Sequence, residues 1–125
     1  MGFQSRVGRH DGAGEGAEGG LSLAEVAAEY GGTYISHIRN ESNRLLEAIN
    51  ELITIARQAD IRGEIFHLKA AGQANWKKLD AVIDAVKSAR EEGLDISTNM
   101  YTYTAGATGL DAAMPPWVQE GGHQA

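Results

Sequence analysis

The chain has 125 residues, of which 42% are hydrophobic and 22% charged, and its formal net charge is −6. This length suits one domain with one hydrophobic core, and an acidic chain without a basic cluster argues against binding nucleic acid through phosphates. Its apolar stretches are far shorter than the roughly 20 residues that cross a bilayer, and it has no cysteine for disulfides or thiolate ligands. We therefore expect a cytoplasmic protein with neither a nucleic-acid nor a membrane partner.

The first twenty residues differ in composition from the rest of the chain. They contain seven of the sixteen glycines and almost no apolar periodicity. Such a stretch buries too little surface to offset the entropy lost on ordering. We expect residues 1–20 to form a disordered tail and residues 21–125 to form the folded segment.

The first half of that segment alternates between a helical and a strand pattern. Ser22 and Glu25 have the spacing of a capping box, and the helix they open is predicted to end at the two glycines of "EYGG". Residues 33–37, "TYISH", are short, apolar and β-branched, which is typical of a buried parallel strand. Residues 41–60 place their apolar side chains on one helical face, and residues 63–68, "GEIFHL", repeat the strand pattern.

The second half continues the alternation. Asn75 is a candidate N-cap for a helix that runs to Gly93, and residues 94–103, "LDISTNMYTY", form the third predicted strand. Helices and strands that alternate at about thirty residues per unit indicate right-handed βαβ units with a parallel sheet. The fold class is therefore α/β, either an open doubly wound sheet or about three units of a partial (β/α)8 TIM barrel, since a complete barrel needs roughly 200 residues or more.

Chemically versatile side chains follow the predicted strands. His37 and His67 lie at or just past the carboxyl ends of the first two predicted strands, and Tyr101 and Tyr103 lie at that end of the third. In parallel α/β folds ligands bind at the carboxyl ends of the strands, and imidazole is a common zinc ligand. A single histidine at a strand end is more often a hydrogen-bonded structural residue. Two histidines at matched positions make a metal site as good an interpretation as the structural role. Two histidines alone do not complete a zinc site.

A cation follows each histidine by two positions. Arg39 and Lys69 are placed to bind a substrate carboxylate or a developing oxyanion in the same mouth. A salt bridge at the rim of the sheet is an equally good interpretation of the spacing alone. The two tyrosines, likewise, have the ordinary alternative of packing against a helix.

Three segments in order resemble a known family. The segments "AEYGGTYISHIRNESNRLLEAINE", "EIFHLKAAGQANWKKLDAVIDAV" and "YTYTAGATGLDAAMPPWVQEGG" are similar to the middle of the D-aminoacylases, the N-acyl-D-amino-acid deacylases of the metal-dependent amidohydrolase superfamily. The resemblance covers about four-fifths of the chain. It implies a (β/α)8 barrel in which one or two zinc ions activate water to hydrolyse the amide bond of an N-acyl-D-amino acid.

The resemblance also implies roles for individual residues. His37 and His67 match metal-binding histidines at the ends of two consecutive strands, Lys69 matches a lysine that holds the substrate carboxylate, and Tyr101 matches a tyrosine of the substrate site. Arg39 is expected on the substrate side or behind the metal ligands. A serine that the family can place six residues after the tyrosine is Ala107 here, which leaves the substrate preference open.

Several parts of the family's site are missing from the sequence. It has no His-x-His or His-x-Asp pair, no cysteine, and no segment that supplies the catalytic Asp of the last strand. The region expected to carry the preceding strand is the glycine-rich residues 1–20. We therefore expect a fragment that is inactive in isolation, with no catalytic base of its own. The alternatives are a non-catalytic α/β binding or interaction module and a fragment of a cyclic amidase of the dihydroorotase or hydantoinase type.

Overall fold

The computed structural model describes residues 2–5, 15–107 and 109. Strands and helices alternate along the described chain. In order they are β1 (Gly2–Ser5), α1 (Glu15–Glu29), β2 (Thr33–Ser36), α2 (Leu45–Gln58), β3 (Arg62–Ile65), a 3₁₀ helix (Gln73–Lys78), α3 (Leu79–Glu91) and β4 (Ile96–Thr98). None of the helices in the described residues is both long enough and apolar enough to cross a bilayer.

The four strands form one parallel sheet in the order β1-β2-β3-β4. Each strand therefore pairs with the next one in the chain, and the helices between them pack against one another in a single layer. A doubly wound sheet reverses its strand order at a switch point, and the described sheet has no such reversal. The partial-barrel prediction is confirmed.

The core lies between this sheet and its helices. The apolar face predicted for residues 41–60 is confirmed, because Leu45 and Ile49 of α2 are fully buried and Leu52 nearly so. Gly63 of β3 faces α2, and a Cβ there would lie 2.9 Å from Ile96 Cδ1 and 3.2 Å from Ala56 Cβ. The missing side chain lets the helix approach the sheet, as expected for glycine at a close contact.

The structure adds a strand that the sequence pattern did not indicate. Gly2–Ser5 pairs in parallel with Thr33–Ser36, so the region expected to lack the strand before β2 does contain one. Helix α1 also begins at Glu15, inside the range expected to be disordered. Residues 6–14 lie outside the described residues, and the division of the chain into a tail and a barrel segment stays a prediction.

Two predicted caps are not formed. Ser22 lies inside α1, where its Oγ donates to the carbonyl of Glu18 at 3.1 Å. The helix continues through Gly20 because this residue packs closely, with Ile55 Cδ1 3.3 Å and Tyr34 Oη 3.4 Å from the position of a Cβ. Asn75 lies within the 3₁₀ helix, and its side chain donates to the carbonyl of Ala71 at 2.7 Å.

All three predicted strands are shorter in the structure. β2 and β3 end one and three residues earlier than expected, at Ser36 and Ile65, and the range 94–103 contains only Ile96–Thr98 as strand. Apolar and aromatic residues beyond these ends produced the longer predictions, but they lie in the turns that form the rim of the sheet. Both histidines therefore lie just past the ends of their strands.

Candidate metal centre

His37 and His67 lie in the turns that leave β2 and β3 at the carboxyl edge of the sheet. Ser36 pairs with Ile65, and the amide of Phe66 donates to the carbonyl of Ser36 at 3.0 Å. The residue level with His37 is therefore Phe66, and His67 lies one residue further along the chain. The two histidines match in sequence context but differ by one residue in the register of the sheet.

The extra residue is accommodated by the backbone of His67, which has a φ of 43°. This left-handed conformation is uncommon outside glycine, although histidine is among the residues enriched there. It turns the chain back so that the ring of His67 lies beside that of His37. The ring centroids are 4.3 Å apart with an interplanar angle of 62°.

The two imidazoles face each other through one nitrogen each. His37 Nδ1 and His67 Nε2 are in direct contact, and the ring of Phe66 packs edge-on against His37 with centroids 4.7 Å apart. Two neutral imidazoles share a single proton in such a contact, whereas two nitrogen lone pairs converge when both bind a metal. The pair therefore has the donor chemistry of two ligands of one zinc ion.

The second nitrogen of His67 lies between two opposite charges. Its Nδ1 is 3.0 Å from Glu41 Oε1 and 2.9 Å from Lys69 Nζ, and these two charged groups are 2.5 Å apart. All three side chains are partly buried. Their loops are also tied together, since the amide of Ala71 donates to the carbonyl of Glu41 at 2.7 Å.

Glu41 and Lys69 favour opposite tautomers of His67. A carboxylate only accepts hydrogen bonds and an ammonium only donates them. When Nδ1 carries the proton it donates to Glu41, and Nε2 then has a free lone pair directed at His37. When Nδ1 accepts from Lys69, the proton is on Nε2 and this nitrogen does not bind a metal. Of the two, Glu41 is therefore the residue that would favour a tautomer able to bind a metal, as carboxylates behind ligating histidines generally do.

Arg39 turns away from the histidines. Its Nη2 is 2.7 Å from Glu51 Oε1 and its Nε is 3.0 Å from Glu51 Oε2, a two-pronged ion pair with helix α2. These hydrogen bonds raise the pKa of the guanidinium above its ordinary value and outweigh the partial burial that lowers it. The contacts of Arg39 are those of a salt bridge at the rim of the sheet, and its substrate-side role stays a prediction.

The two tyrosines have different surroundings. Tyr101 is half-buried, and Lys69 Nζ lies 5.7 Å from the centroid of its ring, within the range of a cation–π contact. Tyr103 is 80% exposed. Of the two, only Tyr101 is brought into the group formed by His37, His67, Glu41 and Lys69, which we call the histidine cluster.

The described residues do not complete a metal site. They contain no group of three or more His, Cys, Asp or Glu side chains that could hold a metal ion, and a catalytic zinc takes about three protein ligands. The two histidines fit zinc as part of a larger set. The predicted ligands His37 and His67 are thus brought together, and Lys69 and Tyr101 lie beside them.

Sequence reasoning missed two members of this region, Glu41 and Asn99. Glu41 is a single acidic residue at the start of a predicted helix, where negative charge is common for other reasons. Its position depends on a turn in which Asn40 Oδ1 accepts from the amides of Ser42 and Arg44. Asn99 lay within a predicted strand, so its contact with the amide of His67 at 2.7 Å was not foreseen.

Comparison with known proteins identifies relatives with deacylase names. The chain is 34% identical to N-acyl-D-glutamate deacylase of Alcaligenes xylosoxydans xylosoxydans over 86 residues, which is 69% of this chain. It is 32% identical over 90 residues to D-aminoacylase of the same organism, which is 72% of this chain. No protein-family model matches the chain.

A solved structure has the same fold over most of the chain. The N-acyl-D-glutamate deacylase of Bordetella bronchiseptica, complexed with zinc and a phosphonate mimic of the tetrahedral intermediate, superposes with a TM-score of 0.73. The match has 31% identity and covers 81% of this chain and 21% of that one. The chain spans about one fifth of the length of the relatives it matches, since it covers 18% of both curated deacylases.

Proposed function

The chain is homologous to a segment of the D-aminoacylases, which belong to the amidohydrolase superfamily, and from this premise we propose that it carries part of a zinc-dependent amide-hydrolysing site. The substrate class is an N-acyl-D-amino acid, and the bond cleaved is its linear amide. The observation that carries the proposal is the contact between His37 Nδ1 and His67 Nε2 at the carboxyl edge of the sheet.

His37 and His67 are the residues that would hold zinc in this chain. Zinc bound there supplies a Lewis acid that polarises a carbonyl and lowers the pKa of bound water. Glu41 Oε1 lies 3.0 Å from His67 Nδ1 and would favour the tautomer that carries the proton on Nδ1, which leaves Nε2 available as a ligand. The remaining ligands and the base that moves the proton come from outside the described residues.

Lys69 and Tyr101 are proposed to bind the substrate. The ammonium of Lys69 lies 2.5 Å from Glu41 and close to the ring of Tyr101. A substrate carboxylate that enters the mouth would compete with Glu41 for Lys69. This exchange would release Glu41 to accept the Nδ1 proton of His67 without opposition, so that substrate binding also favours the metal-binding tautomer.

Zinc binding by the 125-residue chain tests the proposal directly. We expect weak but specific binding, followed by the NMR signals of the histidine rings during titration with zinc. The variants His37→Ala and His67→Ala should each lose it, because one imidazole does not retain the ion. His10→Ala and His123→Ala are matched controls from the glycine-rich ends of the sequence and should bind zinc as the parent chain does. Zinc binding that survives His67→Ala would contradict the proposal.

The hydrolytic activity requires a separate test. We expect no hydrolysis of N-acetyl-D-glutamate by the isolated chain with added zinc, because its described residues lack a third ligand. A longer protein that contains this segment should hydrolyse it and should lose activity on His67→Ala. Turnover by the isolated chain that depends on His67 would overturn the expectation of an incomplete site.

Cell location and partners remain proposals of the same kind. We propose a cytoplasmic protein that binds a small molecule, and microscopy of a tagged chain checks the location.

The interaction-module alternative predicts a folded chain whose stability and behaviour do not change with zinc or with His37→Ala. A substrate panel of linear and cyclic amides, run on the longer protein, separates the deacylase from the cyclic amidase.

A further inference from the structure

Asn99 follows β4, and its backbone and side chain both bind the neighbouring turn that carries His67. The amide of Asn99 donates to the carbonyl of Ile65 at 3.2 Å, and its carbonyl accepts from the amide of Leu68 at 2.9 Å. Its side-chain Oδ1 accepts from the amide of His67 at 2.7 Å. One residue thus holds the chain before, at and after His67.

The side-chain amide of Asn99 is itself oriented by a partner. Its Nδ2 donates to Glu64 Oε1 at 2.5 Å, and Glu64 and Asn99 are both partly buried. A backbone N–H requires an oxygen opposite it and a carboxylate requires a donor, so the two contacts fix which way the amide points. Glu64 therefore orients Asn99, and Asn99 presents its oxygen to His67.

This chain of contacts acts where the backbone is strained. His67 has a φ of 43°, a conformation that costs an ordinary residue free energy unless its surroundings hold it. The same turn directs Nε2 of His67 towards His37. If the turn relaxed, the ring of His67 would leave its partner, and the two nitrogens would no longer converge.

We propose that Asn99 is a positioning residue for the metal ligand His67, and that Glu64 acts through it. The inference rests on the proposed function, because it takes His67 as a zinc ligand. It goes beyond that function by assigning the geometry of the ligand to a side chain on the next strand. Partners behind a metal ligand typically contribute 10- to 100-fold to metal affinity.

The test exchanges donor and acceptor between the two side chains. Asn99→Asp keeps an oxygen for the amide of His67 but places a second carboxylate against Glu64. The repulsion between the two carboxylates should displace the new Asp side chain from the amide of His67. We expect zinc affinity of the 125-residue chain to fall about tenfold or more and the amide hydrogen of His67 to exchange faster. The addition of Glu64→Gln restores a donor opposite the new carboxylate at the original net charge, so the double variant should regain both properties.

Two controls accompany the exchange. Asn50→Asp makes the same chemical change on an exposed position of α2 and should leave zinc affinity and His67 exchange unchanged. Glu64→Gln alone should have a small effect, because the glutamine oxygen still accepts from Asn99. A residue that merely stabilises the fold would lower the unfolding free energy without changing the zinc affinity of the folded chain.

The outcomes separate this inference from the proposed function. A double variant no better than Asn99→Asp overturns the positioning role, and so does normal His67 exchange in Asn99→Asp. If Asn99→Asp fails to fold, the double variant decides: parent-like zinc affinity and His67 exchange support the role, and weak zinc binding or failure to fold overturns it. If the parent chain binds no zinc, the proposed function fails, and His67 exchange in the three variants then decides the positioning role.

Discussion

Two turns of similar sequence, His37-Ile38-Arg39 and His67-Leu68-Lys69, have opposite arrangements in the structure. In the first, Ile38 is buried in the core and Arg39 turns towards helix α2 and Glu51. In the second, Leu68 packs at the edge of the core and Lys69 turns towards Glu41. Both cations follow a histidine by two positions, yet only Lys69 contacts a histidine ring.

The difference comes from register and partners rather than from the triplets themselves. Phe66 is level with His37, so His67 lies one residue further into its turn, where the backbone adopts a left-handed conformation. Arg39 forms an ion pair with Glu51 on helix α2, and Lys69 forms one with Glu41 in a loop. Similar local sequence thus gives a structural ion pair in one turn and a charge beside a proposed metal ligand in the other.

The apolar residues in the middle of the triplets should show the largest contrast. Ile38→Ala removes a side chain that is 7% exposed and should lower the free energy of unfolding by about 3 kcal/mol. Leu68→Ala should cost about half as much, because Leu68 is only partly buried. Urea unfolding of the two variants measures the contrast. Equal losses would mean that the two turns are packed alike.

The cations should differ in what they stabilise. Arg39→Ala breaks a two-pronged ion pair whose partners are 17% and 26% exposed and should cost about 2 kcal/mol of unfolding free energy. Lys69→Ala should cost about 1 kcal/mol or less, since Glu41 keeps its contact with His67. Neither variant should weaken zinc binding. A larger stability loss for Lys69→Ala would reverse the comparison.

The two carboxylates should separate metal binding from stability. Glu41→Gln weakens the acceptor for the Nδ1 proton of His67, and zinc affinity should fall about tenfold. Glu51→Gln should leave zinc affinity unchanged and instead lower the unfolding free energy, because its partner Arg39 lies on the helix side. Parallel zinc titrations of both variants check this, and a similar loss in both would remove the distinction between the turns.

An exposed ion pair gives the baseline for these effects. Arg57 and Glu92 join α2 to α3 at 2.6 Å, but their side chains are 46% and 54% exposed. Arg57→Ala should change the unfolding free energy by about 0.5 kcal/mol or less. Thermal unfolding at low and high salt measures it. A loss as large as that of Arg39→Ala would show that burial does not explain the strength of the Arg39 pair.

The alternation of helices and strands was predictable because it depends on local patterns. The apolar face of α2 and the strands β2, β3 and β4 follow from periodicity, and the strand-end positions of His37 and His67 follow from them. The strand β1 was not predictable in this way. It is four residues long, lies in a glycine-rich segment and is defined by its pairing with β2.

The site was predictable only as far as its histidines. The direction of the Arg39 side chain depends on its ion pair with Glu51 in helix α2. The periodicity of apolar residues does not predict such a pairing. Asn99 was assigned to a strand, because apolar and aromatic residues follow it. Its contacts with His67 form because β4 already ends at Thr98. The sequence pattern predicts the existence of a strand better than the residue at which it ends.

The consecutive strand order has a consequence for how the segment folds. Every strand pairs with one about thirty residues away, as Thr33 does with Arg62, so no pairing requires closure of a long loop. The entropy lost on closing a loop grows with its length, so closing these loops costs less than joining strands from more distant parts of a chain. Assembly can therefore proceed one strand and helix at a time, and the turn that carries His67 is completed only when β4 arrives with Asn99.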